Sequence, residues 1–140
     1  MTAVLPSVST AVSAVDTDPQ SQLLTVTVRP VSPDAVVLVV RGEVDMSTGP
    51  LLQRVLLSHL RYATPRVTVD LTAVSFFGAA GLAALVNVKK AAVAVGSSLC
   101  LVAGTRVVLR PLTITGLSGE FDIYPKLADT PAGPGGGPDG

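Results

Sequence analysis

The chain reads as an α/β domain with a mainly parallel sheet of four to five strands after an N-terminal hairpin, and with helices packed against that sheet. Three observations lead there. Short β-branched runs alternate with longer helical periods between residues 21 and 128. Residues 35–40 are continuously apolar, as in a strand covered on both faces. The later strand runs are separated by helical segments, which parallel neighbours require. Right-handed crossovers then place the helices together against the sheet.

The elements follow in order. Leu23 to Arg29 alternates with Val and Thr and suits a strand with one wet face, and Ala35 to Arg41 is the buried run. Pro30-Val-Ser-Pro-Asp34 between them has turn chemistry, so the two strands form a hairpin. Ser47 or Thr48 can cap a first helix whose first turn accepts Pro50, because its missing N–H has no intrahelical partner there. Leu52, Val55, Leu56 and Leu60 share one face of that helix, with Leu51 and Leu57 off it. Arg66 to Leu71 is a third strand, and Gly81 to Val95 a second helix closed by Gly96. On this helix Leu82, Leu85, Val86 and Val93 can face the sheet, while Ala84, Val88, Ala91 and Val95 make a further apolar row. Ser98 to Ala103 is a fourth strand. Thr105 caps a third helix ending near Gly116, in which Pro111 predicts a kink or break near residues 107–111. Phe121 to Tyr124 adds a short last strand.

Composition narrows the function classes. With 140 residues, 48% hydrophobic and 14% charged, one domain with a Val/Leu/Ala/Ile core is expected. Residues 1–20 show no sustained period and read as a flexible N-terminal arm, and residues 129–140 as a Gly/Pro-rich disordered tail. Formal net charge is zero, which gives no general attraction to nucleic acid. No apolar run reaches the roughly 18–20 residues that cross a bilayer, and the N-terminus lacks the basic n-region of a signal peptide. The lone Cys100 excludes an internal disulfide and reads as a buried strand residue. A cytoplasmic location is expected. His59 is the only histidine, and neither a nucleophile motif nor a phosphate-binding Gly-Lys-Ser/Thr loop is present, so no catalytic set, metal site or cofactor is expected.

Several segments together resemble the STAS domains, the family of the bacterial anti-sigma factor antagonists. They are Arg41-Gly-Glu-Val-Asp45, Thr48-Gly-Pro50, Val67-Thr-Val-Asp-Leu71 with Val74-Ser-Phe-Phe77, Gly81-Leu82, and Thr115-Gly-Leu117 with Phe121 and Tyr124. The likeness covers roughly residues 22–127 and implies the STAS-type fold. It also implies a binding module for an anti-sigma factor or related regulatory kinase-like protein, with a role in transcription control by partner switching. In that family the loop before the second helix usually reads Asp-Ser-Ser-Gly or Asp-Ser-Thr-Gly, and its first Ser is phosphorylated. Here Gly78, Ala79, Ala80 and Gly81 stand at those positions, so Ala79 occupies the usual phosphoserine place and no phosphorylation is expected there.

The resemblance puts the partner surface at Glu43, Asp45, Phe77, Gly78, Ala79, Ala80 and Gly81. Asp45 has a structural reading too, as an acceptor for backbone N–H groups near the first helix, and Asp70 reads as a turn acceptor. Thr72 and Ser75 are the nearby hydroxyls, read as structural turn residues. Two other roles stay open: a STAS subunit of a larger assembly such as a lipid transporter, and a small-ligand or nucleotide-binding STAS module.

Overall fold

The computed structural model describes residues 8–10, 24–61 and 66–130. Six strands form one sheet in chain order: β1 (Val8–Thr10), β2 (Leu24–Ser32), β3 (Ala35–Val44), β4 (Arg66–Phe77), β5 (Ser98–Val102) and β6 (Asp122–Tyr124). The helices are α1 (Gly49–Arg61), α2 (Ala79–Val95) and α3 (Arg106–Ile114). β1, β2 and β3 pair antiparallel, and β3 through β6 pair parallel. The expected hairpin is present, with Leu24 opposite Gly42 and a tight turn in which the Asp34 N–H bonds the Ser32 hydroxyl at 3.1 Å. Val8–Thr10 pairs with Val26–Val28, a short edge strand at a place where the sequence shows no period. The folded body extends to Thr130, which is buried; the rest of the expected arm and tail lies outside the described residues.

All three helices share one core with one face of the sheet. Leu52, Leu56 and Leu60 of α1, Leu85, Val88 and Ala92 of α2, and Val108 and Leu112 of α3 meet Val36, Leu38 and Val40 of β3 and Val67, Val69 and Leu71 of β4. On the opposite face Val37 and Val39 pack with Leu127. Cys100 lies half-buried on β5, its sulfur 3.3 Å from the Thr68 hydroxyl, and burial pushes its thiol pKa up despite that contact.

Four expectations change. α2 begins at Ala79, two residues before Gly81, so Ala79, Ala80 and Gly81 are its first turn. Its buried face is Gly81, Ala84, Leu85, Val88 and Ala92; Leu82 and Val86 are half-buried and Val93 is exposed. The helix is apolar nearly all round, so pattern could not choose the face; close approach to α1 selected the small side chains. α2 does end at Gly96, whose φ of 75° a residue with a Cβ adopts poorly. β4 continues past Leu71 to Phe77. Finally, α3 runs unbroken from Arg106 to Ile114 through Pro111. Pro111 removes one bond from a two-turn helix, while Val108 and Leu112 hold the helix to the core. Thr105 stands at its N-cap with no side-chain capping bond.

The surface around the start of helix α2

β4 determines what this surface presents. Its core-facing residues are Val67, Val69, Leu71, Val74 and Phe77, so the spacing lengthens from two to three after Leu71. The pairing shows why. Val39 and Arg41 of β3 face Asp70 and Ala73, and Gly42 and Glu43 face Val74 and Phe76, so β4 carries an additional residue at each of two bulges. Asp70 serves the first bulge: its Oδ1 accepts the Thr72 N–H at 3.0 Å and the Thr72 hydroxyl at 2.7 Å. At the second, the exposed Ser75 hydroxyl donates to the Gly42 carbonyl at 3.3 Å.

The second bulge restores the alternation that the first shifts, so Phe77 points inward and Phe76 outward. Phe77, expected at the partner surface, is only 4% exposed and lies in the core. Phe76 is 51% exposed instead, beside the start of α2. A Cβ added to Gly78 would stand 3.1 Å from the Phe76 ring.

The other expected residues come together. The Gly78 N–H donates to the Val44 carbonyl at 3.0 Å, joining the end of β3 to the α2 N-terminus. The Gly78 carbonyl accepts the N–H groups of Gly81 and Leu82 at 2.9 and 3.2 Å, opening the helix. Ala79 is exposed at its first position, and no acidic side chain lies in this turn. Ala80 lies against α1: a Cβ on Gly49 would be 2.9 Å from the Ala80 Cβ. Gly81 is buried, and a Cβ there would come within 2.7 Å of the Phe77 ring and 2.9 Å of Val44. Gly81 therefore belongs to the packing beneath the surface.

Asp45 shapes the loop between β3 and α1. Its Oδ1 accepts the N–H of Ser47 at 2.9 Å and of Thr48 at 3.0 Å. The buried Thr48 hydroxyl donates to the Glu43 carbonyl at 2.7 Å and accepts the Asp45 N–H at 2.9 Å. Burial alone would raise the Asp45 pKa, but the backbone N–H groups of Thr48 and Ser47 and the Thr48 hydroxyl outweigh it, so the pKa is lowered. Asp45 thus has the structural work of a turn, with the loop held next to Gly78. Glu43 is half-buried, and among the described residues its carboxylate has no partner.

Two grooves flank the start of α2. One, about 620 Å³, runs between α1 and α2 along Met46, Pro50, Leu57, Ala80 and Ala83, with Gln53 and Arg54 at its rim. Met46 is 85% exposed. The other, about 450 Å³, lies between the end of β4 and α3. Sequence reading missed Met46 and Phe76; an apolar residue inside a polar loop was the only signal for Met46, and alternation from Leu71, which points residue 76 away from the core, was the signal for Phe76. Among the described residues no group of three His, Cys, Asp or Glu could hold a metal ion, and no helix is long and apolar enough to cross a membrane.

The sequence that builds this architecture, a sheet opening antiparallel and closing parallel with three helices on one face and a short turn leading into α2, matches the family model of the STAS domain over residues 27–130. The chain belongs to the STAS domain family. Among solved structures it is similar to an anti-sigma factor antagonist from Mycobacterium paratuberculosis, at 31% identity and a TM-score of 0.69, covering 76% of this chain and 89% of that one. The fold is also that of the anti-sigma factor antagonist SpoIIAA in its unphosphorylated form, at 16% identity, TM-score 0.62, and 72% and 89% coverage. The phosphorylated form of SpoIIAA from Bacillus shares it too, at 14% identity, TM-score 0.57, and 72% and 92% coverage. No curated protein matches the chain in sequence. Its fold is that of the anti-sigma factor antagonists.

Proposed function

We propose that the chain is a cytoplasmic bacterial anti-sigma factor antagonist-like protein. It docks a regulatory partner of the anti-sigma factor kinase class on the surface around the α2 N-terminus. It does so by binding alone, without catalysis, cofactor or phosphorylation at this turn. The observation that carries the reading is the exposed Ala79 at the first position of α2, flanked in the chain by Gly78, which lies beside the exposed Phe76 ring, and by Ala80, which lines the same groove as the exposed Met46.

In a phosphorylated loop of this kind, a phosphate adds about −1.5 to −2 charges and three acceptor oxygens. The adjacent helix N-terminus tolerates that charge, so the domain stays folded while a partner packed on the turn meets a hydrated dianion. Ala79 has no hydroxyl to accept a phosphoryl group, and Gly78 and Ala80 leave the turn small and uncharged. A surface of this kind offers a partner apolar area that kinase activity at residue 79 cannot withdraw.

The test is calorimetric titration of purified anti-sigma factor kinases from the same genome against the wild-type chain, Ala79→Glu, and Gly78→Asp with Ala79→Ser. The wild type is expected to bind one of them equally with and without ATP, and Ala79→Glu to bind at least about tenfold more weakly, roughly 1.4 kcal/mol. The double variant should accept phosphate from ATP and then lose affinity. The tight contact of a Cβ at residue 78 is with the Phe76 ring at 3.1 Å, whose exposed side chain can swing aside, and its contact with the Val44 carbonyl at 3.7 Å is an ordinary one. Absence of binding by every kinase, or equal binding by Ala79→Glu, overturns the reading.

A further inference from the structure

α3 turns an unpaired charged edge toward the same surface. Val108 and Leu112 bury its inner side, which leaves Arg106, Arg110 and Ile114 stacked one turn apart on the outer side. Val107 and Pro111, one residue on, lean toward β4 and complete the wall of the 450 Å³ groove with Ser75 and Phe76. Ile114 is 70% and Val107 37% exposed. A shallower hollow of about 340 Å³ lies on the far side of the same two arginines, along Leu109 and Thr113.

The charge here has no internal purpose. Among the described residues neither Arg106 nor Arg110 has an ion-pair or hydrogen-bond partner, and no acidic residue lines either hollow. Like charges at i and i+4 oppose helix formation, and Arg106 in the first turn faces the positive end of the helix dipole. A folded-state role would have given these guanidiniums a carboxylate. An apolar floor between unpaired guanidiniums fits a partner that brings both an apolar side chain and carboxylates, because the rim then gains charge-assisted hydrogen bonds as the floor is covered.

We propose that the β4–α3 groove docks an acidic amphipathic helix of the partner protein, with two carboxylates one turn apart on Arg106 and Arg110 and an apolar side chain against Phe76 and Val107. The Phe76 ring belongs both to this groove and to the surroundings of Gly78, so the helix extends the contact made at the α2 N-terminus. The partner's identity rests on the proposed function; the chemistry of the groove does not.

Two probes separate these. The first is a capped 18-residue amphipathic peptide with Glu pairs at i and i+4, compared with the same peptide bearing Lys at those positions, each titrated into 15N- and methyl-labelled full-length chain. The acidic peptide is expected to shift Phe76, Val107, Arg110 and Ile114 signals, with at least a tenfold loss of affinity in Arg106→Ala/Arg110→Ala and a steep weakening with salt. The Lys peptide is expected to leave the groove signals unmoved. Equal binding of both peptides, shifts elsewhere, or no shifts with the acidic peptide overturn the groove assignment. The second probe is the kinase found above. Loss of its binding in Arg106→Glu/Arg110→Glu, with an unchanged melting temperature, supports the proposal. Unchanged kinase binding in that variant, alongside loss in Ala79→Glu, overturns the groove and leaves the proposed function standing. Acidic-peptide binding without any kinase binding does the reverse.

Discussion

At position 81 a single methyl group decides between packing and clash. The Gly81 Cα passes so close to Phe77 and Val44 that an added Cβ would lie 2.7 and 2.9 Å from them. Gly81→Ala is expected to destabilise the domain by about 1–3 kcal/mol, read by urea denaturation, because overpacking outweighs the gain in helix propensity. Asp45 gives a pH-dependent counterpart. Its carboxyl pKa is lowered because three donors prefer the ionised form. A depressed carboxyl contributes stability that is present above its unfolded pKa and lost as pH falls through the folded one. Asp45→Asn keeps a neutral acceptor and removes that dependence. The wild type is therefore expected to be the more stable at pH 7, with the gap closing below about pH 4, the ordinary Asp range. A gap that stays constant between pH 7 and pH 3 in urea titrations would show that the ionised carboxylate adds nothing.

Strand β4 is where the element scale matters. An ordinary strand alternates, and alternation from Val69 through Leu71 assigns Phe77 to the core, whereas a single bulge would assign Phe76 in its place. Two bulges do interrupt it, and they leave Phe77 inward and Phe76 outward. Phe77→Ala is expected to cost about 3–5 kcal/mol. Phe76→Ala should change stability by no more than about 0.5 kcal/mol while weakening partner binding. Thermal melts of the two variants check this directly, and similar losses in both would contradict the placement of Phe77 in the core and Phe76 outside it. α3 teaches the complementary lesson. A proline inside a helix costs roughly 3 kcal/mol in isolation, yet α3 stays continuous because its inner row is anchored by tertiary packing.

For the molecule as a whole, strand order equals chain order, so every helix crosses to the same side and one core forms beneath three helices. The centre of that core lies along β3 and β4, flanked on both sides by paired strands. Hydrogen exchange is expected to be slowest at Leu38, Val40, Val67 and Val69 and faster by orders of magnitude in β1 and β6, the two edges. Uniform protection across all six strands would contradict a core centred there. By itself the sequence determined the α/β class, the hairpin, the parallel succession after it, the Gly96 stop and the absence of a hydroxyl at residue 79, because these follow from local periodicity, turn chemistry and residue identity. The contact face of α2 could not be read from a helix that is apolar nearly all round. Only the tertiary structure decided that face, the two bulges of β4, the burial of Gly81 and the unpaired Arg106 and Arg110 beside an apolar groove. Each of these depends on register and on the distance between elements, which a linear pattern does not encode.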